Sequence, residues 1–379
     1  MSVLSGAAYA ACLAVAAGGL LFYILVIIST IRRPPRRSPP AGHTPPLTIL
    51  KPLAGLEEGL EENLRTFFEQ DYPEYQILFA VREASDPAAA VVRRLLERYP
   101  HCPAELLVAG EPPCPNAKVW SLSAMASRAR HSILVVSDSD IRADAGYLQG
   151  IAAEFSDPGV GVATCPYRAV PGPSLWSLLE ALTVNTEFWS GVLVARLVEG
   201  VRFAVGPTMA LRREYLEAIG GFAAAGDYLA EDYLLGRWAE RHGYRAALGD
   251  HVVDHCIGHA GFWTNWKHRV RWARSTRRSR PWGYLGQIFT NPLPFALALA
   301  ATPAAPLGAL VAAGRAAVVA AVSFRLLRDP LTRRYWWLIP LADLASLVVW
   351  ALGLFGDSVE WRGRRYRLSR DGRLVPARP

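Results

Sequence analysis

Asp138 and Asp140 stand two positions apart in "ILVVSDSDIR" (133–142), directly after an apolar run. Residues two apart in an extended chain point to one face. Both carboxylates can therefore aim at one cation, or one can hold it while the other takes a sugar or ribose hydroxyl. A hard divalent ion such as Mg2+ or Mn2+ takes one or two carboxylates and fills its shell with substrate phosphates. The pair so reads as a metal–diphosphate site, with Asp138 and Asp140 as the metal ligands. A lone DxD is common by chance, and either aspartate could simply cap the next element, so position has to carry the reading.

Three other stretches hold groups that such a site would use. Asn116-Ala117-Lys118 opens a helical segment, and a lysine near a diphosphate supplies a point charge; a solvated helix lysine is the plain alternative. In "DYLAEDYLLGRWAERHGY" (227–244) an amphipathic helix is expected from about Glu231, with Glu231 and Asp232 in its first turn. Acids there suit the helix dipole for that reason alone. They could also include the general base that an attacking hydroxyl needs within hydrogen-bond reach. In "HRVRWARSTRR" (268–278) Arg271 and Trp272 are adjacent. A guanidinium grips a leaving diphosphate bidentately, and an indole offers an acceptor a flat apolar face. A basic patch on lipid headgroups fits the same residues.

These groups must be positioned by something, and the chain between 47 and 284 supplies it. Apolar runs of strand length at 47–52, 76–81, 104–109 and 132–137 alternate with helix-like segments at 57–70, 87–99 and 118–130. Such alternation predicts an α/β fold with a parallel sheet covered on both faces. Ligands bind outside the carboxyl ends of such strands. Asp86 falls there after the second run, and Asp138 with Asp140 after the fourth. The trio His251, His255 and His259 is spaced for one helical face, but "VVDH" between glycines reads as strand and turn, which does not favour a zinc site.

The flanks are apolar. Residues 7–31 carry no charge and exceed the roughly 20 needed to span a bilayer, and RRPPRR follows. This reads as an uncleaved anchor (1–31) with its positive end in the cytoplasm. A proline-rich linker (32–46) precedes the domain at 47–284. Residues 285–327 read as a two-span hairpin. The third apolar segment, 335–355, carries Asp343 and is interfacial, re-entrant or spanning, the first two being preferred because a span would put the basic tail (356–379) outside. An aromatic stretch at 176–191 reads as a core helix or one resting on the bilayer. Five cysteines without a CxxC pair point to a reducing compartment. The formal charge of +8 is arginine-dominated and clustered at the linker, at 267–280 and in the tail, and is not read as nucleic-acid binding.

The order Asp86, Asp138-Ser139-Asp140, Glu231-Asp232, then HxxRW, between an N-terminal anchor and C-terminal hydrophobic segments, resembles the ceramide glucosyltransferase family. "ILKPLAGLEEGLEENLRTFFEQDYPEYQILFAV" (49–81), "DSDIR" (138–142) and "AEDYLLG" (230–236) resemble it too. The resemblance implies a glycosyltransferase-A fold and an inverting transfer of one hexose from a nucleotide-sugar to a lipid hydroxyl such as ceramide. The donor would be UDP-glucose, or UDP-N-acetylglucosamine as in the bacterial hopanoid relatives. It implies that Asp86 contacts the nucleotide and that Asp138 and Asp140 hold metal, diphosphate and sugar. Asp232 would be the base, with Arg271 and Trp272 in a (Q/R)xxRW signature. His268 stands where that signature has Gln or Arg, which leaves donor and acceptor open. Asn116, Lys118, Glu231 and His268 complete the expected substrate-binding set. The expected location is a bacterial cytoplasmic membrane, catalytic domain on the cytoplasmic face. A processive polysaccharide synthase would need more spans, and a lipid-binding scaffold would not need every acidic group.

Overall fold

All four expected strands form, and three of them, all but the edge strand Ala104–Val108, are buried on both faces. β1 (Leu47–Pro52) is buried at all six positions, and β2 (Tyr75–Val81) at all but its first. β3 (Ala104–Val108) and β4 (Ile133–Ser137) complete a parallel set in the order β3-β2-β1-β4. The computed structural model describes residues 5–33, 42–259, 261–361 and 364–376. Helices Leu60–Phe68, Pro87–Arg98 and Ala117–Ala126 are the crossovers, as parallel neighbours require. Pro87 fits the first helical position, where no intrahelical N–H bond is lost. Leu50, Leu78, Leu134 and Val136 from the strands bury against Val119, Leu122 and Met125 from the third crossover.

Beyond β4 the sheet departs from the all-parallel expectation. A two-residue β5 (Ile141–Arg142) pairs with Val253–Ile257, outside the main sheet. β6 (Val160–Thr164) belongs to the main sheet, but strand Thr208–Arg212 lies between it and β4, antiparallel to both. After β6 the chain leaves at the carboxyl end of that strand and re-enters at the same end, so Thr208–Arg212 can only run back. Arg245–Leu248 then pairs parallel to β6 and makes a seven-stranded sheet among the described residues.

The described chain divides into two units. The sheet unit comprises Pro35–Tyr167, Val201–Gly258 and Arg365–Pro379; the helical unit comprises Met1–Pro34, Arg168–Gly200 and His259–Arg364. The tail thus belongs with the sheet: Leu374 N donates to Asp227 O at 2.7 Å, and Arg373 Nε to Tyr228 Oη at 3.2 Å.

In the helical unit, among the described residues, three helices are long and apolar enough to cross a membrane: Gly6–Ile31, Ala305–Leu326 and Pro330–Gly353. The first packs through Gly18 and Gly19. A Cβ on Gly18 would lie 2.5 Å from the Phe289 ring, and one on Gly19 2.4 Å from Pro292. The first arm of the expected hairpin is not one span. Asn291-Pro292 and Pro294 break it into short pieces, Gln287–Thr290 and Leu293–Ala298, because proline withholds the N–H that a continuous helix needs. The aromatic stretch at 176–191 is largely buried, in helices Leu175–Thr183 and Trp189–Glu199 joined by a π-turn over Val184–Phe188.

Candidate active site

β4 ends at Ser137, and the turn that follows places Asp138 and Asp140 at the carboxyl edge of the sheet, with 31% and 32% of their side chains exposed. Each is thus open on one side and engaged on the other. Asp138 Oδ1 meets Lys118 Nζ at 2.7 Å. Asp140 Oδ2 meets His255 Nε2 at 3.0 Å, while Asp140 Oδ1 is buried with no hydrogen-bond partner. An orphaned carboxylate oxygen is costly in a protein interior; a cation is a group that would satisfy it. Among the described residues no group of three or more His, Cys, Asp or Glu is placed to hold a metal. A cation here would rest on this pair and take its remaining oxygens from a ligand, which suits Mg2+-type coordination. Burial raises the Asp138 pKa, with the neighbouring Asp140 charge adding to the effect against Lys118. Burial also acts on Asp140, but His255, Lys51 and Lys118 outweigh it and hold its pKa below the usual range.

Under this edge lies a residue with no part in the sequence-based site. Lys51, fully buried on β1, donates from Nζ to Asp138 O at 2.6 Å and to Ser137 Oγ at 3.2 Å. Its ammonium sits 3.6 Å over the Phe67 ring. Burial pulls its pKa down to about 7, the carboxylates of Asp138 and Asp140 resisting. It fixes the backbone from which Asp138 projects. A single charge at the carboxyl end of the apolar run "LTILKP" was the signal available.

Lys118 joins the DxD to the second acidic pair. Its Nζ reaches Glu231 Oε1 at 3.1 Å as well as Asp138. Burial alone would lower its pKa, but those two carboxylates more than offset this and keep it protonated. Asn116 caps the Lys118 helix through Oδ1 to Val119 N at 3.2 Å. From Nδ2 it donates to Tyr228 O at 2.8 Å and to Glu231 Oε2 at 3.1 Å. Glu231 is therefore committed to Lys118 and Asn116. Asp232, beside it, accepts among the described residues only from its neighbour's amide, Tyr233 N, at 2.7 Å. Burial, then the Glu231 charge, raise its pKa to about 7. Gly206 lies against it: a Cβ there would stand 2.8 Å from Asp232 Oδ2.

Asp86 caps helix Pro87–Arg98. Oδ1 accepts Ala88 N at 2.9 Å, and both oxygens accept Gly55 N at 3.0 and 3.1 Å. The loop after β1 also supplies Glu57, whose Oε2 accepts Ser139 Oγ at 2.6 Å. Asp86 and the DxD turn are thus tied to one loop. The histidine trio separates: His251 pairs with Asp144, His255 with Asp140, and His259 falls in the helical unit.

His268, Arg271 and Trp272 belong to the helical unit, on helix Phe262–Ser279. His268 Nδ1 lies 3.3 Å from Glu180 Oε1, and its ring 4.5 Å from that of Trp272. Glu180 is buried on helix Leu175–Thr183 and also takes Asn265 Nδ2, so one carboxylate sets the roll of the HxxRW helix. Arg271 and Trp272 are at least partly exposed.

The profile of glycosyl transferase family 21 matches residues 11–374. The chain belongs to this family. Ceramide glucosyltransferase 3 of Caenorhabditis elegans is 29% identical over 209 residues, 55% of this chain and 45% of that protein. Ceramide glucosyltransferase 1 of the same organism is 30% identical over 210 residues, 55% of this chain and 44% of its own length. The family 21 chain thus spans about half the length of the curated relatives it matches. Among solved structures, the mannosyltransferase PcManGT from Pyrobaculum calidifontis, in complex with GDP-Man and Mn2+, superposes with a TM-score of 0.57. It shares 22% identity, over 90% of this chain and 97% of that one. Its fold is therefore shared, and the mixed α/β core is a glycosyltransferase-like one.

Proposed function

We propose that this family 21 chain is a membrane-bound transferase that moves one hexose from a nucleotide-sugar, UDP-glucose foremost, to a lipid hydroxyl such as that of ceramide. The observation that carries the reading is the division of labour among the carboxylates. Glu231 and one oxygen each of Asp138 and Asp140 are neutralised by Lys118, Asn116 and His255. Asp140 Oδ1 and Asp232 are left for a ligand. The relatives named as ceramide glucosyltransferases support the lipid acceptor, and the GDP-Man and Mn2+ of the shared fold support a nucleotide-sugar and a divalent cation.

In this mechanism Asp232 takes the proton of the acceptor hydroxyl as its oxygen attacks the anomeric carbon. The bond from that carbon to the diphosphate oxygen breaks on the opposite face, so an α-linked donor gives a β-linked glycolipid. Asp138 and Asp140 would hold the cation, which supplies charge stabilisation for the departing diphosphate. Lys118 supplies fixed positive charge for the same group. Asp86 orders the loop beside the nucleotide. The sheet unit works on the cytoplasmic face.

The test is incubation of detergent-purified protein with nucleotide-sugars and lipids, followed by mass spectrometry and anomeric analysis of the lipid fraction. Formation of a β-hexosyl lipid supports the reading. An α-linked product would overturn the single displacement, and no product with any pair would overturn the transferase. Preference for UDP-N-acetylglucosamine and a hopanoid would move the donor and acceptor assignment alone.

A further inference from the structure

Length and composition allow Pro330–Gly353 to cross a membrane, but its surroundings do not suit a span. Its core, Ile339–Gly353, runs beside helix Phe262–Ser279 in the same direction. Arg269 Nη2 donates to Ser346 Oγ at 3.0 Å, Ala273 lies against Gly353, and Arg277 donates to Leu354 O and Gly356 O. Arg274 adds bonds to Phe355 O at 3.1 Å and Ser358 O at 2.6 Å. The other end is held by polar groups too: Arg168 Nη1 donates to Arg328 O at 3.2 Å, and Asn185 Nδ2 to Asp329 Oδ2 at 2.9 Å. A crossing would draw the partner helix, with Lys267, Arg269, Arg271, Arg274, Arg277 and Arg278, to the same depth. Arginines at mid-bilayer are each strongly unfavourable.

The exposed side answers what covers the helix. Trp337, Leu341, Leu344, Val348, Leu352 and Phe355 are all exposed, and their spacing of three and four puts them on one face. Exposed Arg333 and Arg334 lie at its start. An apolar face bounded by aromatic and arginine residues matches the boundary between lipid tails and phosphate headgroups.

We infer that Ile339–Gly353 is an in-plane helix, seated with its Leu341–Leu352 face in the headgroup boundary of the bilayer rather than across it. The inference is independent of the proposed chemistry. It is tested on the full chain in phosphatidylcholine–phosphatidylglycerol nanodiscs, with a nitroxide coupled through p-acetylphenylalanine at 341, 344, 348 or 352, all exposed sites. Depth is read from collisions with oxygen and with a nickel chelate. One shared, shallow depth at the four sites is expected. A depth that passes through the bilayer centre and emerges in the opposite leaflet would overturn the inference. Aqueous exposure of all four would overturn it equally, by removing the lipid. As a second readout, Arg333→Cys and Phe355→Cys should react with an impermeant maleimide from the same side of sealed, uniformly oriented vesicles; reaction from opposite sides would mean a crossing.

Discussion

Asp232 has the properties of a base because of what surrounds it. Burial and the Glu231 charge lift its pKa to about 7, near the pH at which a general base is most useful. A base works deprotonated, so activity should fall as pH drops below about 7, and the acid limb of the kcat/KM profile should have its midpoint there. Asp232→Asn should lower kcat by roughly 10²–10⁴-fold and leave calorimetric donor binding unchanged. Gly206→Ala tests the same carboxylate through its neighbour. The new methyl would stand 2.8 Å from Oδ2 and push it aside, and a displacement near 1 Å can cost about 10²-fold in rate. That loss should appear in kcat while the melting temperature stays near the parent value. At this scale the sequence was legible where local position decides geometry: Asp138 and Asp140 directly after an apolar strand, and Asn116-Ala117-Lys118 at the start of a helix. It was mute on the Lys51–Ser137, His255–Asp140 and Glu180–His268 pairs. Their members lie 86, 115 and 88 residues apart, and no local pattern joins them.

Among elements, periodicity named the helices and strands but not their direction or continuity. Nothing in "TMALR" tells that this strand runs against its neighbours; the re-entry of the chain at the same sheet edge does. The apolar stretch 285–323 reads as two spans until Asn291-Pro292 and Pro294 are allowed to break the first. An arginine at the centre of a bilayer costs about 2.5–3.5 kcal/mol, which is why the four or more that flank Ile339–Gly353 outweigh its own apolarity. Arg315, also buried, is neutralised by pairing. Its Nε and Nη2 bind both oxygens of Asp343 at 2.9 and 2.6 Å, and Nη2 also meets Thr186 Oγ1 at 2.9 Å. Removing one partner leaves a buried charge, so Asp343→Leu should destabilise by about 3–5 kcal/mol. Arg315→Met with Asp343→Leu should recover most of that. Thermal unfolding of both variants in one detergent checks the order.

For the whole molecule, the cation is the simplest lever. Chelation should abolish transfer, and Mg2+ or Mn2+ should restore it, while sedimentation with liposomes stays unchanged. On the proposed reading, lipid association comes from the helical unit and turnover from the DxD edge. Loss of both together would mean that the ion holds the fold rather than the ligand. The overall plan, an α/β sheet between apolar flanks, was legible because burial on both faces leaves unbroken apolar strands. The membership of the tail in the sheet unit was not, since a three-residue strand, Leu374–Pro376, has too few positions for any period to show.

That short strand has a consequence. Its first amide grips Asp227, Arg373 grips Tyr228, and Asn116 holds Tyr228 from the other side. The segment leading into Glu231 and Asp232 is therefore clamped by parts of the chain far off in sequence. A binding protein or bulky fusion that peeled the hairpin away would slacken the acid pair from a distance, without ever entering the cleft. The C-terminal hairpin is a handle on Glu231 and Asp232.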